Sequence, residues 1–139
     1  MSNGPLPSQL CLLSDLPKKQ VGDKVRFLGC VVSYTVRAGV LTLEHRSSGQ
    51  ARPVRALVDA NLILESLGRQ HTRDGEWVNV IGYITDIPDE SHDGDSAYGG
   101  VTIRAQAILL WSAGPVDPQQ YEASVKALAE AGQAGGCAS

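Results

Sequence analysis

Five alternating apolar runs, set between turn residues in one particular order, constrain this chain more than anything else in it. They are Lys24–Tyr34, Val40–His45, Pro53–Val58, Trp77–Ile87 and Val101–Trp111. Successive side chains on a strand point to opposite faces. The first run therefore sets Val25, Phe27, Gly29 and Val31 against Arg26, Leu28, Cys30 and Val32. The second sets Val40, Thr42 and Glu44 against Leu41, Leu43 and His45, and the third Val54, Ala56 and Val58 against Arg55, Leu57 and Asp59. Gly29 lies mid-strand, where a missing side chain lets a strand coil or bulge. The short link between the first two runs, closed by Gly39, predicts an antiparallel hairpin. One helical segment, Ala60–Leu67, separates the third run from the fourth. Asp59 is placed to cap it and Gly68 to end it, and Leu62, Ile63 and Leu67 would form a buried face.

Three strands, a short helix and two further strands is the order of the OB-fold, an all-β, five-stranded Greek-key barrel that holds single-stranded nucleic acid or oligosaccharide. The short helix between strands 3 and 4 would plug the bottom of the barrel. Ahead of it, Leu10, Cys11, Leu12, Leu13 and Leu16 form a small apolar cluster expected to pack across an opening. A C-terminal α-helix follows the last strand. Asp117 is its N-cap, Pro118 its first helical residue, and Gln120 stands three residues after the cap. Tyr121, Val125 and Leu128 recur at helical spacing as one apolar stripe. The expected organisation is a loose arm over residues 1–9, an OB-fold domain with its helix over 10–131, and a frayed Gly/Ala-rich tail over 132–139.

Composition narrows the functional classes. The 139 residues suit a single domain. Twelve basic and 15 acidic residues leave a net charge of −3, whereas a protein that grips phosphates on its own usually carries a basic excess. One Phe and two Trp leave little for an exposed stacking platform. Cys11, Cys30 and Cys137 are far apart and lack metal or disulfide spacing, so reduced cysteines in the cytosol or nucleus are expected. The apolar run Leu10–Leu13 is too short for a signal peptide, and nothing approaches a membrane span. His45, His71 and His92 have no His or Cys at ligand spacing. No catalytic or nucleotide-binding motif is present. The expectation is a non-enzymatic protein with neither cofactor nor metal.

Two sets of residues remain as functional candidates. From Arg37 to Arg55 four arginines (Arg37, Arg46, Arg52 and Arg55) stand against Glu44 alone, on the strands and loops that form the usual ligand face of this barrel. Tyr34 and Tyr98 could stack bases beside them. The plain alternative is a solubilising set of arginines, and the acidic loop over residues 88–100 would repel a phosphate backbone. The second set is the stripe Tyr121, Val125 and Leu128. A barrel fills its own interior, so this stripe needs another apolar surface, either the outside of its own barrel or a partner.

The segments Leu6-Pro7 to Leu16, Gly22-Asp23-Lys24-Val25-Arg26-Phe27-Leu28-Gly29, Leu41-Thr42-Leu43-Glu44-His45 and Trp77-Val78-Asn79-Val80-Ile81-Gly82-Tyr83-Ile84 resemble the Ten1 family, the smallest subunit of the CST telomere-capping complex. The resemblance runs from about residue 6 to 128. It implies a fold similar to the small subunit of replication protein A, and pairing with the N-terminal OB domain of the middle CST subunit through barrel and C-terminal helix. It further implies a trimer with the large subunit that binds single-stranded telomeric DNA, protects chromosome ends and helps DNA polymerase α–primase fill in the complementary strand. The setting would be the nucleus, at the telomeric region of the chromosome. Tyr121, Val125 and Leu128 would then face the partner, and Arg37, Arg46 and Arg55 would contact DNA. The alternative on the same barrel is a stand-alone single-stranded DNA- or RNA-binding protein.

Overall fold

The alternating runs form strands at nearly the expected bounds. A computed structural model describes residues 7–45, 53–88 and 100–138, with side chains as far as Leu128. The strands are β1 (Gln9–Leu10), β2 (Lys24–Thr35), β3 (Val40–Glu44), β4 (Val54–Asp59), β5 (Trp77–Asp86) and β6 (Val101–Ser112). Two helices, α1 (Arg69–Thr72) and α2 (Pro118–Ala138), and two 3-10 segments, Leu13–Lys18 and Asn61–Ser66, complete the described chain.

Hydrogen-bonded neighbours run β1-β2-β3-β4-β6-β5, and a further pairing of β2 with β5 closes β2 to β6 into a barrel. The long first barrel strand makes closure possible by changing neighbours along its length. Its first half, Lys24 to Cys30, pairs antiparallel with β5. Its second half, from Cys30 to Thr35, pairs antiparallel with β3. The two-residue β1 runs parallel to β2 at Val25 and Arg26. β4 and β6 are also parallel, which requires a crossover, and β5 lies between them in sequence. This is the five-stranded OB barrel.

The inward residues are those the alternation assigns. Val25, Phe27, Val31, Leu41, Leu43, Val58, Val80 and Ile103 belong to one buried cluster. The irregularity in β2 falls between Val31 and Ser33 rather than at Gly29. Gly29 has a different role: a Cβ there would stand 2.9 Å from the Leu43 Cβ and 3.1 Å from the Leu13 Cδ1. At Gly82, beside a register shift between β5 and β6, a Cβ would run into the carbonyl oxygen of Gln106. Both glycines let neighbouring chain approach closely where the barrel curves.

Both apolar segments expected to cover the barrel's openings pack against the core, but unequally. Leu13 and Leu16, in the 3-10 segment before the barrel, are fully buried within the core cluster. The expected helix over Ala60–Leu67 is instead the 3-10 segment Asn61–Ser66, followed by the single turn α1. Leu62 is 63% exposed, while Ile63 and Leu67 only pack partly against the core. Local hydrogen bonds explain the difference. Asp59 Oδ1 accepts from the Asn61 backbone N–H at 2.9 Å and from Asn61 Nδ2 at 2.7 Å, while Asn61 Nδ2 also donates to the Ala38 carbonyl at 2.9 Å. The segment is thereby tied to the β2–β3 turn. Ile63, β-branched, has φ −122° and ψ 20°, outside the helical region. At the other end α2 runs from its Asp117 cap to Ala138.

Candidate nucleic-acid and partner interfaces

The arginine set divides once its members have neighbours. Glu44 and Arg55 sit directly opposite each other on β3 and β4. Arg55 donates to Glu44 Oε2 from Nη2 at 2.8 Å and from Nε at 3.2 Å. The pair is only partly exposed, so most of the charge expected from Arg55 is met within the chain. Arg37 is exposed in the β2–β3 turn, beside Val36, which is 76% exposed. Tyr34 is half-buried and packs against the core, which leaves less of its ring for stacking. Arg46, Arg52 and Tyr98 lie outside the described residues.

One cation was missed by reading the arginines as a run along the sequence. Arg104 is exposed on β6. It lines a groove of about 300 Å³ on the outside of the barrel with Val40, Leu57, Asp59, Thr85 and Gln106. Those residues come from four strands, so only the β4–β6 parallel pairing and the β5–β6 register bring them together. A second outward arginine, Arg26, lies over the Trp111 ring at 5.2 Å, a cation–π contact.

The start of α2 is capped as expected. Asp117 Oδ1 accepts from the backbone N–H groups of Gln119 and Gln120 at 3.1 and 3.4 Å, and the Tyr121 N–H donates to the Asp117 carbonyl at 3.0 Å. The apolar stripe that follows is split. Val125 is 5% exposed and Tyr121 half-buried, while Leu128 is 60% exposed. The first two turns of α2 therefore lie on this chain's own barrel, and the third carries an apolar side chain into solvent.

His45, at the end of β3, sits under this helix. It is 2% exposed. Its ring meets Trp77 edge-on at 5.3 Å and Tyr121 at 6.0 Å and 46°. Among the described residues neither ring nitrogen has a well-formed hydrogen bond, although the Leu28 backbone lies near enough to favour its proton, and the buried Tyr121 hydroxyl has no partner. Burial lowers the His45 pKa, opposed by the Glu122 carboxylate and the Leu28 backbone. Burial likewise raises the Tyr121 phenol, against the pull of Arg26. Glu122 is itself buried and accepts from Lys126 Nζ at 2.9 Å. Beside this cluster a cavity of about 320 Å³ is walled by Cys30, Val32, Glu44, His45, Trp77 and Pro118. No spacing rule singles out His45, because its neighbours come from β5 and α2.

The two described thiols are chemically quiet. Burial pushes Cys11 up to about 11. It also raises Cys30, helped by Asp74, Glu44 and Glu76. Both would be thiols rather than nucleophilic thiolates at neutral pH. Among the described residues no group of three His, Cys, Asp or Glu side chains could hold a metal ion, and no helix is long and apolar enough to cross a membrane.

Comparison with known proteins agrees with this architecture. The protein-family model for Ten1, described as "Telomere capping, CST complex subunit", matches residues 1–126. No curated protein matches by sequence. A chain of the Schizosaccharomyces pombe Stn1–Ten1 complex is similar at TM-score 0.65 and 22% identity, over 91% of this chain and 96% of that one. The S. pombe telomere-capping protein Ten1 is similar at TM-score 0.63 and 22% identity, over 89% and 99%. Ustilago maydis replication protein A bound to single-stranded DNA follows at TM-score 0.55 and 18% identity, over 89% and 91%.

Proposed function

The chain belongs to the Ten1 family of telomere-capping CST-complex subunits, a nuclear, telomeric and non-enzymatic setting, and from that premise we propose that it acts as an assembly subunit. It binds the N-terminal OB domain of the middle CST subunit and, with the large subunit, supports single-stranded telomeric DNA binding, end protection and C-strand fill-in by DNA polymerase α–primase. Within the stripe on α2, Tyr121 and Val125 hold the helix and Leu128 meets the partner.

The observation that carries this reading is the division of that stripe. Val125 is covered by this chain, yet Leu128, the next member of the stripe three residues on, is left 60% exposed. An exposed leucine gains from being covered by a second apolar surface. The named assembly of the S. pombe relative, Stn1 with Ten1, supports a sister OB subunit as that surface. The DNA side is weaker by construction. The chain is acidic overall, Arg55 is engaged by Glu44, and Arg37 remains exposed. Arg37, with Arg46 and Tyr34 near it in sequence, would add contacts to a groove shared with the other subunits rather than hold DNA alone.

The test is co-purification with the middle subunit's N-terminal OB domain. Replacing Leu128 by Asp should abolish it while far-ultraviolet circular dichroism and the melting temperature of the isolated chain stay unchanged, since that side chain is mostly exposed and lies outside the core cluster. Undiminished co-purification overturns the partner face.

A further inference from the structure

We propose that α2 is a releasable latch seated on His45, docked while that ring is neutral and freed when it takes up a proton. Three independent features of the seat point this way. The helix supplies the cover: Tyr121 stands 6.0 Å from the His45 ring, and Pro118 shares with His45 the wall of a cavity of about 320 Å³. The cover is thin, because the cavity leaves the start of the helix without full packing against β2, β3 and β5, and missing contacts mean missing dispersion energy. The seat is polar and poorly satisfied, since among the described residues both His45 nitrogens and the Tyr121 hydroxyl are buried without a well-formed hydrogen bond.

A neutral imidazole in such a place already forgoes hydrogen bonds. An imidazolium would bury a full charge and two donors, which is far costlier. The polar and charged groups around the ring do not reverse this: the Leu28 backbone favours the proton, but less than burial opposes it. On α2, Glu122 attracts the proton, but Lys126 engages its carboxylate at 2.9 Å. On β3, the adjoining Glu44 is taken by Arg55 at 2.8 Å. On β2, Cys30 keeps its proton because burial raises it, and Tyr121 keeps its own for the same reason. Burial is the largest influence on His45 and lowers its pKa from the ordinary 6.5.

The sign follows from linkage. Releasing the helix hydrates the ring and returns it toward its ordinary value, so protons favour the released state. Docking is at full strength above about pH 6.5 and weakens as pH falls from there toward the depressed value. One unit below the ordinary pKa, the docking equilibrium is reduced by up to about tenfold. The consequence for assembly rests on the partner reading above: Leu128 would lose its fixed position when the latch opens.

The isolated full-length chain tests the latch without any partner, whereas co-purification tests the partner face, so either can fail alone. The His45 ring protons would be titrated by NMR in the wild-type chain and in Val125→Asp, which undocks the helix. The expected midpoint lies below 6.5 in the wild type and moves up toward 6.5 in the variant. Hydrogen exchange over residues 118–128, corrected for intrinsic rate, should show up to about tenfold less protection at pH 5.5 than at pH 7.5 in the wild type, and no such change in His45→Gln. Equal midpoints in the two chains, or helix protection independent of pH, would overturn the latch. The NMR comparison stands even if His45→Gln does not fold.

Discussion

The two faces of β2 show how differently one strand can be used. Its inward side, Val25, Phe27, Gly29 and Val31, is buried in an apolar cluster drawn from every strand of the barrel and from Leu13 and Leu16. Its outward side carries Arg26 over Trp111, a buried Leu28 outside that cluster, and Cys30 and Val32 on a cavity under the start of α2. The inward face is closed by strands whose hydrogen bonds hold them in register. The outward face lies beside a helix with unsatisfied polar atoms beneath it. Dense apolar packing specifies a fold. A loosely filled, polar contact is the kind that can open at low cost.

The contrast predicts unequal responses to substitution. The largest belongs to the inward face: Phe27→Ala should cost about 3–5 kcal/mol of unfolding free energy in a denaturant titration, because the ring is fully buried in a barrel that cannot collapse around the void. A cost below about 1 kcal/mol would show that the interior is no more tightly built than the outside. On the outward face the sign should reverse. Tyr121→Phe removes a buried hydroxyl that has no partner among the described residues, so α2 should dock more firmly by roughly 1 kcal/mol, read as slower hydrogen exchange in the helix. Faster exchange would mean that the hydroxyl contributes to the seat, and the distinction between the faces would narrow. The smallest effect concerns DNA. Arg37→Ala in the assembled complex should lower the slope of log affinity against log salt by about 1, with the barrel untouched, and an unchanged slope would remove Arg37 from the phosphate contacts.

Strand order, the inward residues of each strand and the Asp117 cap were all readable along the chain. Each depends on neighbours at fixed spacing, two along a strand or three to four along a helix, and local geometry carries that information without help from the rest of the fold. The segment after Asp59 shows where such reading stops. Leu62, Ile63 and Leu67 have a helical pattern, yet Asn61 ties the segment to Ala38, 23 positions earlier, and 3-10 geometry results. Arg55 looked like a free cation until β3 and β4 paired it with Glu44. Arg104 looked unremarkable until four strands placed it on one groove. His45, Trp77 and Tyr121 are 76 residues apart at the extremes, and their meeting exists only after the barrel has closed and α2 has turned back onto it. Spacing along the chain settled what each element is, because local sterics and burial act within a few residues. Which side chains meet across elements was decided only by tertiary closure, because register and the path of α2 determine distances that no local rule contains.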